Sequence, residues 1–533
     1  MQHSDRRGFL ALGATATLAT AGLGSAAPAE ADEQRAAAAT ITPSDPRYPD
    51  FVRGNNFRFA GTPDSVRVIE SAGQIEQALA EAVHVGKRPA VRSGGHCLEG
   101  FTTDPSVKVV LDLSQYSGVY FDRTRGAVAV EAGATLGQVY DTLYKQWGTT
   151  VPGGVCPQVG VGGHISGGGY GALSRLFGLV VDHLEAVEVV VVDKSGEPRT
   201  VVATSSPKDP AHDLWWAHTG GGGGNFGVVS RYWLRSPGAT GNAPARILPR
   251  PPSSLLISRS EWAWSGMDEA AYSRIVGNFV RWHEAHSAPG APEAGLFATL
   301  WCNHFKTGNL FMIVQVDGSR PDAERILAGF NAAVTEGVAV KATRVERELP
   351  WGVAWKYLSF PDYGSALGLR IKDKSSYQRR AYSDAQLATV YKYVTMASFE
   401  GRGATMLLAG YGGQINAAGS DARAIPQRDS VIKAQYGTSW IDPAQDAAQL
   451  AWIRGFYREL FSGTGGVPVS GALADGAYIN YPDVDLADPA WNTSGVPWSE
   501  LYYKSNYARL RRAKGRWDPL NTFQHALGIQ PPS

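Results

Sequence analysis

The stretch Gly153-Gly154-Val155-Cys156-Pro157-Gln158-Val159-Gly160-Val161-Gly162-Gly163-His164-Ile165-Ser166-Gly167-Gly168-Gly169-Tyr170-Gly171 sets nine glycines around one cysteine, one histidine and one tyrosine. Glycine at this density marks backbone that turns sharply or comes close to a ligand. Two further clusters resemble it: Arg92-Ser93-Gly94-Gly95-His96 upstream, and Gly220 to Gly224 followed by Asn225-Phe226-Gly227 downstream. Successive backbone N–H groups in such loops form nests for anions, and a diphosphate fits there.

The obvious alternative is a dinucleotide fold. Gly222, Gly224 and Gly227 satisfy G-x-G-x-x-G, and Gly167, Gly169 and Ala172 its looser form. Both matches lack their context. Arg246 and Ile247 stand where the first needs an acidic residue. The second has Asp193 at a suitable distance, but the glycine-rich stretch before it does not read as a strand.

The chain has 533 residues, 44% of them hydrophobic, and a formal net charge of +1. That length implies more than one domain, since single cores rarely exceed roughly 250–300 residues. The near-zero charge gives no electrostatic case for nucleic acid or for an acidic membrane. Arg6-Arg7-Gly8-Phe9-Leu10 opens an apolar stretch to Leu23, and Ala29-Glu30-Ala31 offers a small-residue cleavage site. Residues 1–31 therefore read as a twin-arginine export signal, with secretion of the folded protein. The apolar stretch is too short for a membrane span, which needs roughly 20 residues. Cys97, Cys156 and Cys302 cannot all pair. Export in the folded state removes the need for disulfides. The 11 histidines show no HExxH, and no CxxC is present, so no metal site is expected.

Residues 32–45 are Ala-rich and read as a linker, with ordered structure starting near Pro49. Strand-like runs at 66–69, 89–92, 108–113, 127–131 and 183–192 alternate with helical spacing at 74–85 and 135–147, the latter with Thr135 as N-cap. Four prolines at 244–253 mark a domain junction. Beyond it, strands (310–316, 405–411) mix with helices (269–283, 321–334, 443–461), and a last helix is expected over 499–514. The fold class is α+β.

On spacing alone, His96 reads as a loop histidine with a satisfied hydrogen bond and Cys156 as a small buried hydrophobe. Taken together, Arg92-Ser93-Gly94-Gly95-His96, Gly154-Val155-Cys156-Pro157, Gly220 to Gly227, Tyr478-Ile479-Asn480-Tyr481-Pro482-Asp483, Tyr502-Tyr503, Asn506 and Trp517-Asp518-Pro519 resemble the berberine bridge enzyme family of FAD-linked oxidases. The resemblance spans roughly residues 45–533. It implies an FAD-binding domain of the PCMH type over 46–240, completed by a C-terminal return over 475–533. A substrate domain over 241–474, an antiparallel sheet backed by helices, would lie between them. It also implies FAD bonded twice, through His96 to the flavin 8α-methyl and through Cys156 to ring carbon six.

Further residues expected to hold FAD are Arg92, Ser93, Gly94, Gly95 and Cys97 in the first loop, and Val155, Val159, Gly160, Gly162, Gly163, His164, Gly168, Tyr170 and Gly171 in the second. Asn225, Gly227 and Val228 are expected from the third, and Tyr478 and Asn480 from the C-terminal segment. Tyr481 is implied to be the catalytic base, and Tyr411 a second tyrosine for a second oxidation. A free tyrosine titrates near 10, so Tyr481 would need help near neutral pH. Val159, three residues after the attached cysteine, is implied to admit dioxygen. The implied activity is oxidation of an alcohol on a small-molecule natural product, with hydrogen peroxide released. Two other readings stay open: an oligosaccharide oxidase, and a non-catalytic flavin-binding protein.

Overall fold

Three sheets carry the fold in the computed structural model, which describes residues 37–359 and 367–532. The first contains β1 (Ala39–Ile41), β2 (Ser65–Val68), β3 (Arg88–Arg92) and β4 (Val107–Asp112), in the order β1-β2-β4-β3. Strands β2 and β3 run parallel to β4. The helix Ala72–His84 connects β2 to β3, and the Ser71 hydroxyl caps it by accepting from Gln74 N. Residues 39–41 fall within the stretch read as a linker, yet they pair antiparallel with β2, and Ile41 is fully buried. Three residues are too short to show a period of two, so no strand signal could be read there.

The second sheet contains β5 (Val119–Asp122), β6 (Ala127–Glu131), β7 (Leu184–Val192), β8 (Pro198–Thr204) and β9 (Val228–Leu234), in the order β5-β6-β9-β7-β8, all antiparallel. The helix Leu136–Trp147 follows β6. Thr135 and Gln138 form its capping box, and Gly148 ends it at φ +63.

The third sheet is antiparallel and seven-stranded. Its strands are β10 (Ser254–Ala263), β11 (Phe297–Asn303), β12 (Asn309–Asp317), β13 (Thr343–Pro350), β14 (Arg370–Gln378), β15 (Thr405–Gly410) and β16 (Ile432–Trp440). They lie in the order β13-β10-β12-β11-β15-β16-β14. The helices Ala323–Thr335 and Asp446–Leu460 pack on this sheet, and Glu269–Ala285 and Asp384–Val394 pack against those two helices. One face is thereby covered and the other left for a site.

Two helical expectations change in detail. The run expected over 443–461 begins as a 3-10 turn, Pro443–Gln445, capped by Asp442, before the α-helix starts at Asp446. The expected helix over 499–514 is broken: Trp498–Tyr503 and Tyr507–Trp517 are separated by a 3-10 turn at Lys504–Asn506. Lys504 sits at φ +49, which an α-helix cannot accommodate, and its ammonium pairs with the buried Asp475. No described helix is long and apolar enough to cross a membrane. The expected export signal lies outside the described residues.

Candidate active site

The three glycine clusters meet around one cavity of about 650 Å3, closed on its far side by the open face of the seven-stranded sheet. The first two loops pack backbone on backbone. A Cβ on Gly94 would lie 2.4 Å from Gly160 N, and one on Gly160 2.2 Å from Gly94 N. Ser93 fastens the contact by donating to Ala132 O at 2.5 Å. Arg92 is spent on structure: it pairs with Asp112 and donates to the Phe51 and Arg53 carbonyls. This leaves backbone N–H groups as the main anion donors of that loop.

His96, Cys97, Val155, Cys156 and Val159 all line the cavity, together with Arg92, Ser93, Gly94, Gly95, Gly160, Gly162, Gly163 and Gly171. Asn55 Nδ2 lies 3.3 Å from His96 Nδ1 and orients the ring. Burial pushes the Cys97 thiol up to about 11, which makes it inert beside His96. His164 is pulled down to about 4 by burial. Its Nε2 accepts from Gly154 N at 3.2 Å, as a neutral ring requires. Asn480 donates to His164 O at 2.9 Å, and only a glycine at 167 leaves room, since a Cβ there would sit 2.0 Å from Asn480 Oδ1.

Asn225 organises the third loop. Its amide nitrogen donates to Gly221 O and Gly222 O, and its oxygen accepts from Ile529 N at 2.9 Å. Lys514 donates to Asn225 O at 2.7 Å. The C-terminal segment therefore holds this loop in place. Asn225 and Gly227 also line the cavity.

Three expected residues do not reach it. Gly168, at φ +117, faces Ile425. Val228 is fully buried in the core, while Gly227 and Val229, its neighbours on the alternating strand, line the cavity. Tyr411 is also fully buried, and its hydroxyl donates to Gln427 O at 3.0 Å. Its ring lies 5.4 Å from that of Tyr170 and 5.0 Å from that of Tyr377, so it forms the layer behind the wall. In this structure the Tyr411 hydroxyl is thus turned to Gln427 O and does not line the cavity.

Tyr481, Tyr478 and Tyr170 do line the cavity, and they surround a residue that the sequence reading missed. The Lys433 ammonium lies 4.0 Å from the Tyr481 ring centre, 4.7 Å from that of Tyr170 and 5.2 Å from that of Tyr478. Burial pulls the Lys433 amine down to about 7 and pushes the Tyr481 hydroxyl well above 10. Two strand neighbours share this face. Gln435 donates to Asp373 Oδ2 at 2.8 Å, and burial pushes the Asp373 carboxyl up to about 7. The available signal was a lysine and a glutamine alternating through the apolar run Ile432-Lys433-Ala434-Gln435-Tyr436. Thr299, Trp301, Ile313 and Leu407 continue the wall outward.

A second missed residue is His525. It lines the cavity beside Gly223 and Gly224, stacks on Phe101 at 4.2 Å, and is pulled down to about 4 by burial. The residues present suit FAD. The cavity has a ligand's volume, its glycine end is lined by backbone, and a Cβ on Gly163 would project into open space.

Comparison with known proteins agrees with this geometry. A family description, FAD binding domain, matches residues 63–201, and a second, berberine and berberine like, matches 477–530. Aclacinomycin-N/aclacinomycin-A oxidase of Streptomyces galilaeus is 49% identical, across 100% of this chain and 99% of that protein. The crystal structure of a flavoenzyme involved in shunt-product recycling in caerulomycin biosynthesis is 50% identical, with a TM-score of 0.92, covering 93% of this chain and 100% of that one. A glycopeptide hexose oxidase, solved in complex with teicoplanin, is 46% identical with a TM-score of 0.89, covering 93% and 99%. With both parts of the flavin fold present and identity of this extent along the whole chain, the protein belongs to the berberine bridge enzyme-like family of FAD-linked oxidoreductases.

Proposed function

We propose that this protein is an oxidase that converts an alcohol of a natural product, either a secondary or allylic hydroxyl or one on an antibiotic-linked deoxysugar, to a ketone. The observation that carries the reading is Tyr481 on the cavity wall with the Lys433 ammonium 4.0 Å over its ring. A cation over an aromatic face favours the electron-rich phenolate over the phenol. It therefore offsets the burial that holds the Tyr481 hydroxyl above 10, and lets Tyr481 take the substrate's hydroxyl proton. Bound FAD would supply the hydride acceptor and pass the electron pair to dioxygen, giving hydrogen peroxide. His96 and Cys156 would each bond it, and two fixed points hold one geometry without further entropy loss at each turnover. Val159, half-buried beside Cys156, would leave room for dioxygen.

The relatives' names, aclacinomycin-N/aclacinomycin-A oxidase and glycopeptide hexose oxidase, support an oxidase working on sugar-bearing natural products. The test is peroxide release from the purified enzyme against a panel of antibiotic intermediates, with glucose and xylose oligomers alongside. Peroxide from the oligomers alone would replace the ketone reading with lactone formation. A flavin colour that no candidate bleaches under nitrogen would contradict catalysis. A Val159→Ile variant with unchanged reoxidation in stopped flow would remove Val159 from the dioxygen path. Residues 1–31 are read as a twin-arginine leader, and retention inside the cell after changing Arg6 and Arg7 to lysine is the expected result.

A further inference from the structure

Five charged side chains are buried together behind β14, and a sixth, partly exposed, joins them. Ile371 and Asp373 of that strand line the cavity, so Lys372 and Lys374 point the other way. The Lys372 ammonium meets Glu99, Asp483 Oδ1 at 2.7 Å and Asp485 Oδ2 at 3.7 Å. Lys374 meets Asp483 Oδ2 at 2.7 Å and Asp485 Oδ2 at 2.8 Å. Arg454, from the helix Asp446–Leu460, pairs with Asp485 at 2.7 Å and closes the cluster. Three cations thus balance three carboxylates, and five of the six side chains are at most 3% exposed.

Such a cluster is a poor device for stability alone. Desolvating buried charges costs about as much as their attraction returns, and apolar packing often does as well. What this one connects is more informative. Glu99 lies three residues after His96, and Asp483 two residues after Tyr481. Val484 N also donates to Glu99 Oε1 at 3.4 Å. Of the three cations, Lys372 is the one that bonds both loops; Lys374 and Arg454 pair only with Asp483 and Asp485.

We infer that Lys372 is a positioning residue that straps the His96 loop to the Tyr481 loop, fixing the distance between flavin attachment and base. The inference rests on the roles proposed above for His96 and Tyr481. The test compares full-chain holoenzymes by peptide mass mapping of flavin on His96 and by visible circular dichroism of the bound flavin. In Lys372→Met, His96 should carry flavin at about a tenth of the wild-type level or less, since a misplacement of about 1 Å can slow a bond-forming step by about 100-fold. Lys374→Met removes the same charge from the same cluster and should keep the wild-type level, although both variants lower the melting temperature. Glu99→Gln unties only the His96 end and should reproduce the Lys372→Met loss. Lys372→Arg should restore most of it. If Lys372→Met yields no soluble protein, Glu99→Gln against Lys374→Met decides. Equal His96 occupancy across these variants would overturn the strap. If the wild type itself carries no flavin on His96, the attachment reading fails instead. The dichroism then judges the strap alone, with a change expected in Lys372→Met and Glu99→Gln and none in Lys374→Met.

Discussion

The two walls of the cavity are built on opposite principles. The glycine wall is backbone against backbone: Gly94 meets Gly160, and Gly171 meets Gly153, at distances where no Cβ fits. The sheet wall is side chain against side chain: Lys433 lies over three tyrosine rings, and Gln435 bonds Asp373 across neighbouring strands. One wall presents amide donors, and burial holds the Cys97 thiol and the His164 and His525 rings among them neutral. The other concentrates an amine and a carboxyl that burial drives to about 7. The division suits a cofactor held rigidly on one side and proton transfer on the other.

The largest expected effect lies on the sheet side. Tyr481→Phe removes one hydroxyl and keeps the ring, and should slow anaerobic flavin reduction by about 100- to 10,000-fold, roughly 3–5 kcal/mol of barrier. A loss within about threefold, no more than one ordinary hydrogen bond, would place Tyr481 among mere wall residues. On the glycine side the effect should be on stability. Gly171→Ala puts a Cβ 1.6 Å from Gly153 O, and overpacking of this kind costs about 1–3 kcal/mol. A thermal melt of the holoenzyme unchanged by Gly171→Ala would show that this wall yields.

Lys433→Met should come next. A desolvated cation over a ring contributes about 0.5–2 kcal/mol, or roughly 2- to 30-fold in rate. Since the amine titrates near 7, it carries its charge below that pH and loses it above. The deficit of Lys433→Met should therefore be greatest on the acid side and shrink as pH rises through about 7. A deficit that stays constant with pH would exclude the charge as its cause. Tyr411→Phe should do least: its hydroxyl bonds Gln427 O away from the cavity, so about 0.5–1.5 kcal/mol of stability and little kinetic change are expected. Accumulation of a singly oxidised product would reverse that and restore Tyr411 to the chemistry.

The same contrast explains what could be read from sequence. Local motifs announced the glycine wall, because a nest is made by consecutive residues. Gly160 and Gly163 stand out there from the motif itself, whereas His96 and Cys156, bland on spacing alone, are singled out only by the family resemblance. The sheet wall is made by register. Lys433 faces Tyr481 only because β16 lies between β15 and β14 and the C-terminal return crosses its end. Asp373 and Gln435 meet across two strands that are far apart in sequence. Tyr411, implied by the resemblance for a second oxidation, follows the end of β15 at Gly410 and lies fully buried, with its hydroxyl on Gln427 O. Val228 lies one residue away from the lining residues Gly227 and Val229, with its side chain in the core.

If His96 and Cys156, brought to one cavity by two glycine loops, each bond the flavin as proposed, the link survives denaturation. Acid precipitation of purified holoenzyme tests it most directly. The expected result is a yellow pellet for the wild type and for His96→Ala and Cys156→Ala alone, with FAD released to the supernatant only when both are changed. A colourless wild-type pellet under a yellow supernatant would contradict it.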